Sequence, residues 1–230
     1  MARTGVRYAT GRESVDRYNE QQAGVSAPTN WTPIDPYVKA GDPLSGLLRL
    51  VEPDHGSQLG AGDDYSQAYN FRFYVTSNPA KRVPFGIPNN YSPADFELVG
   101  RYVDYIVRAS GGDKRVVLQR LAAVFPRHRG KFHDEGIPFV RGEYRGAATT
   151  HNYNRAELFS VAPLGLSRYY QDGDWTVRSR IWREHIDYLR GLHHFLSTDP
   201  RVPEEFRLET AQLGLDQTMH PDTEGWPNQL

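Results

Sequence analysis

The sequence predicts an α+β fold, with a mixed or antiparallel sheet and packed helices, on three observations. One segment alternates apolar and polar residues with period two, and four segments repeat apolar residues at helical spacing. These segments do not alternate strictly as strand and helix, as a parallel α/β sheet would require. The 230 residues suggest one domain, or one and a half, with room for a sizeable core. Hydrophobic residues make up 38%, and mean hydropathy is -0.65. Counting the 21 glycines brings the apolar share near the roughly 45–50% of globular domains, so disorder is not expected. The 14 Tyr and 4 Trp assign much of the packing to large amphipathic rings.

Residues 1–62 read as an extended, loop-rich segment, dense in Gly, Pro, Asp and Ser. A structureless stretch of that length is unusual inside a compact domain, and it reads as chain that packs against something else. The region 63–230 carries the regular elements. In the first of these, Tyr69, Phe71, Phe73 and Val75 alternate with Asn70, Arg72, Tyr74 and Thr76, the pattern of a half-buried strand. Ser77-Asn78-Pro79 stops it.

Ser92-Pro93-Ala94-Asp95 opens a helix, with Ser as N-cap, Pro at the first helical position and an acid at the third. Phe96, Val99, Tyr102, Val103, Ile106 and Val107 then form its apolar face, and Gly111-Gly112 ends it. A second helix fits Asp113 to Phe125, and residues 127–155 read as basic, Gly-rich loops with one or two short strands. The longest helix is expected from Asp174 to about Leu196, closed by Thr198-Asp199-Pro200. A short helix from Pro203 to about Leu213, ended by Gly214, completes the set.

Several chemistries are excluded or weakened. With 0 Cys there is no disulfide scaffold, thiolate metal site or cysteine nucleophile. The formal net charge of -1 supplies no field to attract nucleic acid, and Arg127-His128-Arg129-Gly130-Lys131 reads as a solvated loop. No apolar run approaches the roughly 18 residues of a membrane span, and residues 1–8 lack the apolar stretch of a signal peptide. Gly60-Ala61-Gly62 fails as a dinucleotide fingerprint, because Tyr65 stands at the third glycine position and Asp63-Asp64 would repel phosphate. There is no Walker loop and no Gly-x-Ser-x-Gly elbow. The eight histidines include none at the His-Glu-x-x-His spacing of a zinc site, and no metal ligands are assigned.

The polar face of the expected strand offers the amide of Asn70, both donor and acceptor, and the guanidinium fork of Arg72, suited to a carboxylate or phosphate. Two readings stay open: a ligand pocket, or a face covered by another layer with Arg72 in a structural ion pair.

Several segments in order then resemble a bacterial family of FAD-dependent oxidoreductases, some of whose members are labelled xanthan-lyase-like. They are Ile34-Asp35-Pro36-Tyr37-Val38, Gly41-Asp42-Pro43, Ser45-Gly46-Leu47-Leu48, Gly62-Asp63-Asp64 and Gln67-Ala68-Tyr69-Asn70-Phe71-Arg72. The series continues through Asn78-Pro79, Arg82-Val83-Pro84-Phe85, Arg180-Ile181-Trp182, His185-Ile186-Asp187-Tyr188 and Gly191-Leu192. It closes with Asp199-Pro200-Arg201-Val202-Pro203 and Gly225-Trp226-Pro227-Asn228-Gln229-Leu230. The likeness runs from about Arg12 to Leu230, although residues 125–167 match poorly. Family members often carry His where this chain has Asn228.

The resemblance implies that the chain is an internal, substrate-side portion of a two-domain flavoenzyme that passes a hydride or electrons to FAD. The flavin-binding Rossmann half is then expected upstream of Met1, with a further stretch downstream of Leu230. It implies Tyr69, Asn70 and Arg72 for orienting a small-molecule or carbohydrate-like substrate, His185 as proton donor or acceptor, and Trp226 and Gln229 at a cofactor edge. For His185 the competing reading is a helix-face residue satisfied within the core. The alternative function is a non-enzymatic carbohydrate-binding module using Trp31, Trp175, Trp182 and Trp226 as stacking plates. A hydrolase working through paired carboxylates has no distinguishable pair among the 28 acids.

Overall fold

The computed structural model describes residues 5–27, 34–53, 56, 58–66, 69, 71, 73–124, 149–151, 159, 163 and 165–230. Asn70, Arg72 and Trp31 lie outside them, as does most of the 127–155 stretch. The fold is α+β, with five α-helices and one small antiparallel sheet among the described residues. The chain divides into two compact units, Met1–Tyr69 with Pro163–Glu184, and Asn70–Ala162 with His185–Leu230.

The first unit is built mostly of turns. Its regular pieces are one helical turn, α1 (Val15–Tyr18), a 3-10 turn at Pro43–Ser45 and the start of the long helix α4 (Trp175–Thr198). Isolated bridges join Arg12 to Asp63 and Tyr37 to Leu47. Side-chain carboxylates take over the role that a ladder plays elsewhere. Asp35 accepts the backbone N–H groups of Tyr37 and Gly41, Asp42 accepts that of Leu44, and Asp63 pairs with Arg12 while accepting the N–H of Tyr65. Such Asx turns satisfy backbone donors locally where no sheet does. Gly24, at φ +74°, lies directly on the Gly60 backbone, leaving no space for a Cβ.

The second unit holds the sheet and the aromatic core. Strands β1 (Phe73–Thr76), β2 (Arg82–Val83), β3 (Thr149–His151) and β4 (Gly214–Asp216) stand in the order β2-β4-β1-β3, every pair antiparallel. The strand expected over 69–76 is thus shorter, and Phe71 and Val75 are buried as the alternation requires. Thr76, on the face expected to be polar, is buried as well; β1 is an interior strand here, and the Thr76 hydroxyl accepts the N–H of Asn78. Gly214 opens β4 instead of ending a helix, because a side chain there would overlap Arg82 and Val83 of the neighbouring strand.

Helix α2 (Glu97–Ala109) is preceded by a 3-10 turn at Pro93–Phe96, where the Ser92 side chain makes no cap and its carbonyl accepts the Asp95 N–H. It buries Val99, Tyr102, Val103 and Ile106, one stripe at helical spacing. Helix α3 (Lys114–Val124) is capped by Asp113, which accepts the N–H groups of Arg115 and Val116, and buries Val117 and Leu121. Within this unit α4 buries Ile186, Tyr188, Leu189, Leu192, Phe195 and Leu196, each contributing roughly 1.5–3 kcal/mol when fully covered. Helix α5 (Glu204–Ala211) adds Phe206.

Gly191 and Gly100 mark a tight junction. A Cβ on Gly191 would stand 2.5 Å from Cζ of Phe96, whose ring is stacked with Tyr91 and Tyr188 and tilted against Phe195. A Cβ on Gly100 would overlap the Arg201 guanidinium. Arg201 donates to Glu97 Oε2 at 2.8 Å and forks onto Asp199 at 3.0 and 3.1 Å, while Arg101 donates to Glu97 Oε1 at 2.9 Å. Burial by itself would raise both carboxyls. The hydrogen bonds and charge of Arg201, with Arg101 at Glu97, outweigh it and hold both below their ordinary range.

Two outcomes follow from this junction. Gly191→Ala gains about 1 kcal/mol of helix propensity but overpacks the Phe96 ring at about 1–3 kcal/mol, so its urea midpoint is expected to fall. Glu97 and Asp199 are more acidic folded than unfolded, so their contribution is complete above the ordinary carboxylate range. It is lost as pH falls through that range to the depressed folded values. The stability gap between the wild type and Arg201→Met is therefore expected to shrink from about pH 6 to about pH 3, as read by chemical denaturation at each pH; a constant gap would contradict the ionic account.

Candidate functional site

In the first unit the turn at residues 165–174 and the first turn of α4 border a cleft of about 750 Å³, with Tyr69 on its wall. The sequence places this turn tightly. Asp174 caps α4 by accepting the Val177 N–H at 2.9 Å, and a Cβ on Gly173 would stand 2.7 Å from Val177 Cγ1 and 2.8 Å from the Tyr169 carbonyl oxygen. Arg178, one helical turn on, reaches back. Its Nε donates to the Tyr170 carbonyl at 2.9 Å and its Nη2 to the Gln171 carbonyl at 2.8 Å. The guanidinium carbon lies 5.5 Å from the Tyr170 ring centre and 5.9 Å from that of Trp175, within cation–π range.

The Tyr69 and Tyr170 rings sit 5.0 Å apart at 43°, and the Tyr69 N–H donates to Ser167 Oγ at 2.9 Å. Tyr8 donates its hydroxyl to Asp172 Oδ1 at 2.9 Å. That hydrogen bond, then burial and the carboxylate charge, pushes the Tyr8 phenol above its usual range. Trp175 keeps 66% of its surface exposed. Gln171 also borders the cleft, and its Oε1 is buried without a hydrogen bond. Aromatic plates beside carboxylate acceptors and a guanidinium donor can hold a small polar ring and orient it.

A second cavity of about 690 Å³ in the same unit is bordered by Arg12, Glu20, Glu52, Tyr65 and Arg168. Asp63 and Asp64, read from sequence as repelling phosphate, are ion-paired with Arg12 and Arg168 respectively, and Arg168 also lies 4.4 Å from the Tyr65 ring centre.

Of the other expected site residues, His185, Trp226 and Gln229 fall in the second unit, while Asn70 and Arg72 lie outside the described residues. His185 is on α4, 0% exposed, edge-on to Phe71 at 6.3 Å. Trp226 is buried and meets Phe71 and Phe85, both at 5.8 Å, with the Arg190 guanidinium 5.8 Å from its ring centre. Phe71 thus brings His185 and Trp226 into one cluster, to which Phe85 adds His193, stacked at 4.2 Å. Gln229 is exposed.

Sequence reasoning missed Tyr8, Tyr170, Asp172 and Arg178. The available signal was the run Tyr169-Tyr170-Gln171-Asp172-Gly173-Asp174-Trp175, aromatic residues interleaved with turn formers at a helix start.

The described residues offer no cradle for a flavin pyrophosphate. None of the five helices follows a strand through a Gly-x-Gly turn, the sheet pairs are antiparallel, and Gly60 is packed on Val15 and Gly24, whereas the pyrophosphate site of a Rossmann unit needs a parallel strand–turn–helix. Among the described residues no three His, Asp or Glu side chains converge on a metal position, and no helix is long and apolar enough to cross a membrane. Comparison of the chain with protein-family models, curated proteins and solved structures gives no match.

His185→Ala removes a ring from the centre of the Phe71 cluster. It is expected to cost about 2–4 kcal/mol, on the scale of a buried large-to-small change, in the unfolding free energy measured by urea titration.

Proposed function

We propose that this chain is the substrate-side portion of an FAD-dependent oxidoreductase. The observation that carries the reading is where the family-like segments lie. Residues 67–72, 82–85, 185–188 and 225–230 are far apart in sequence, yet their Phe71, Phe85, His185 and Trp226 form one linked set of rings in the second unit. Arg201, from the 199–203 segment, ties Asp199 to Glu97 in the same unit. The segments that resemble the family thus supply rings to one packed core, and that is the support for the reading.

Flavin, when bound, accepts the hydride or electron pair. The described residues do not fit its pyrophosphate, so the grip on that group belongs to sequence outside them. Tyr69 faces the cleft of the first unit and contributes a ring to it. Asn70 and Arg72, on either side of the buried Phe71, are assigned to substrate from sequence, His185 to proton transfer, and Trp226 and Gln229 to the cofactor edge.

The test is the reading frame around this chain. An in-phase strand followed by Gly-x-Gly-x-x-Gly is expected upstream. The longer polypeptide should purify with flavin absorbance, whereas the 230-residue chain stays colourless after incubation with FAD and gel filtration. A longer frame without that fingerprint, or a 230-residue chain that retains FAD, would overturn the proposal.

A further inference from the structure

We infer that the cleft bordered by Tyr8, Tyr69, Tyr170, Asp172, Trp175 and Arg178 is a saccharide site, taking a neutral, polyhydroxylated ring. The inference names a substrate class for the Tyr69 side of the proposed function and rests on that reading only for its link to redox chemistry.

Three features of the cleft select this ligand. The first is its flat apolar surface. Trp175 presents an exposed indole, and the Tyr69 and Tyr170 rings form a tilted pair. A sugar ring offers a C–H face that stacks on such plates, with hydroxyls around its edge for the polar groups. The second is the balance of donors and acceptors. Asp172 accepts the Tyr8 hydroxyl through Oδ1, and its second carboxylate oxygen is a further acceptor. Arg178 holds two backbone carbonyls through Nε and Nη2, so of its five N–H donors three remain, two on Nη1 and one on Nη2. Hydroxyls, which both donate and accept, match a wall carrying both kinds of group.

The third is charge. Asp172 and Asp174 against Arg178 make the lining net acidic, which disfavours a carboxylate or phosphate ligand. An ammonium ligand is disfavoured for a different reason. Arg178 lies within cation–π range of the Tyr170 and Trp175 rings, so a fixed positive charge stands beside them and repels a second cation. A neutral ring avoids both penalties. The volume of about 750 Å³ falls within the roughly 300–1,000 Å³ of small-ligand sites and accommodates one or two sugar units.

The experiment uses the full 230-residue chain without flavin. It is applied to an array of neutral oligosaccharides, and hits are followed by quenching of tryptophan fluorescence, with tetramethylammonium and glucuronate as charged competitors. Saturable binding of at least one neutral glycan is expected, unaffected by either competitor. Trp175→Ala should weaken it about tenfold, as expected for loss of one stacking plate. Asp172→Asn, which keeps the size and shape of the side chain, should weaken it while circular dichroism stays that of the wild type. Retention of no neutral glycan would overturn the inference, as would unchanged binding in both variants or equal competition by tetramethylammonium. Because no flavin is present, saccharide binding can fail while the flavin reading stands. Conversely, binding by a chain whose longer frame lacks the fingerprint would make this a carbohydrate-binding module.

Discussion

Phe96 fills the space that a side chain at position 191 would need, and the second unit is arranged around that substitution of ring for Cβ. A glycine inside a 24-residue helix gives up about 1 kcal/mol of helix propensity. The loss is offset because Leu189, Leu192, Phe195 and Leu196 are buried around it. The same junction is sealed at its rim by charge. Glu97 directly follows Phe96 and Asp199 directly follows α4, so a single guanidinium, that of Arg201, ties the start of α2 to the end of α4. Gly100, one turn into α2, makes the room for that guanidinium. Two glycines and one arginine thus serve one contact, apolar inside and ionic outside.

The first unit rests on different physics. It has no sheet and few buried apolar side chains among its described residues, so less of its order comes from burial. Its turns are held by carboxylates bonded to backbone N–H groups, by the Arg12–Asp63 pair and by the close approach of Gly24 to Gly60. Segments stabilised this way open at lower free energy than a packed core, and they are also where binding groups are commonly displayed. The Tyr8–Asp172 hydrogen bond joins residues 164 apart in sequence, and the cleft exists because such links close the loops.

This difference decides what was legible in the sequence. The helices of the second unit were readable to within about a turn at their ends, because burial on one face imposes a period: Val99, Tyr102, Val103 and Ile106 are both the pattern and the core. The strand was placed correctly but drawn too long, since alternation marks which residues face the core and does not reveal where ladder partners end. Gly214 misled for a related reason. A glycine after a helical run usually signals a C-cap, yet this one is dictated by a neighbouring strand that has no trace in the local pattern. The cleft was hardly legible at all. The sequence singles out only Tyr69 and Trp175 there, because Tyr8, Tyr170, Asp172 and Arg178 share no period and meet through turns.

The ring cluster and the cleft also stand under different constraints. Phe71, Phe85 and Trp226 are core residues whose identity is constrained by packing. His185 belongs to that set by its surroundings. A proton carrier must come within hydrogen-bond reach of the group it serves, and a ring with no exposed surface does so only if the side chains covering it move. The cleft residues stand under the opposite constraint, since Trp175 is exposed and its removal leaves no cavity in a core. Stability and ligand binding therefore rest on different side chains in this chain, and substitutions in the ring cluster and in the cleft should report on the two separately.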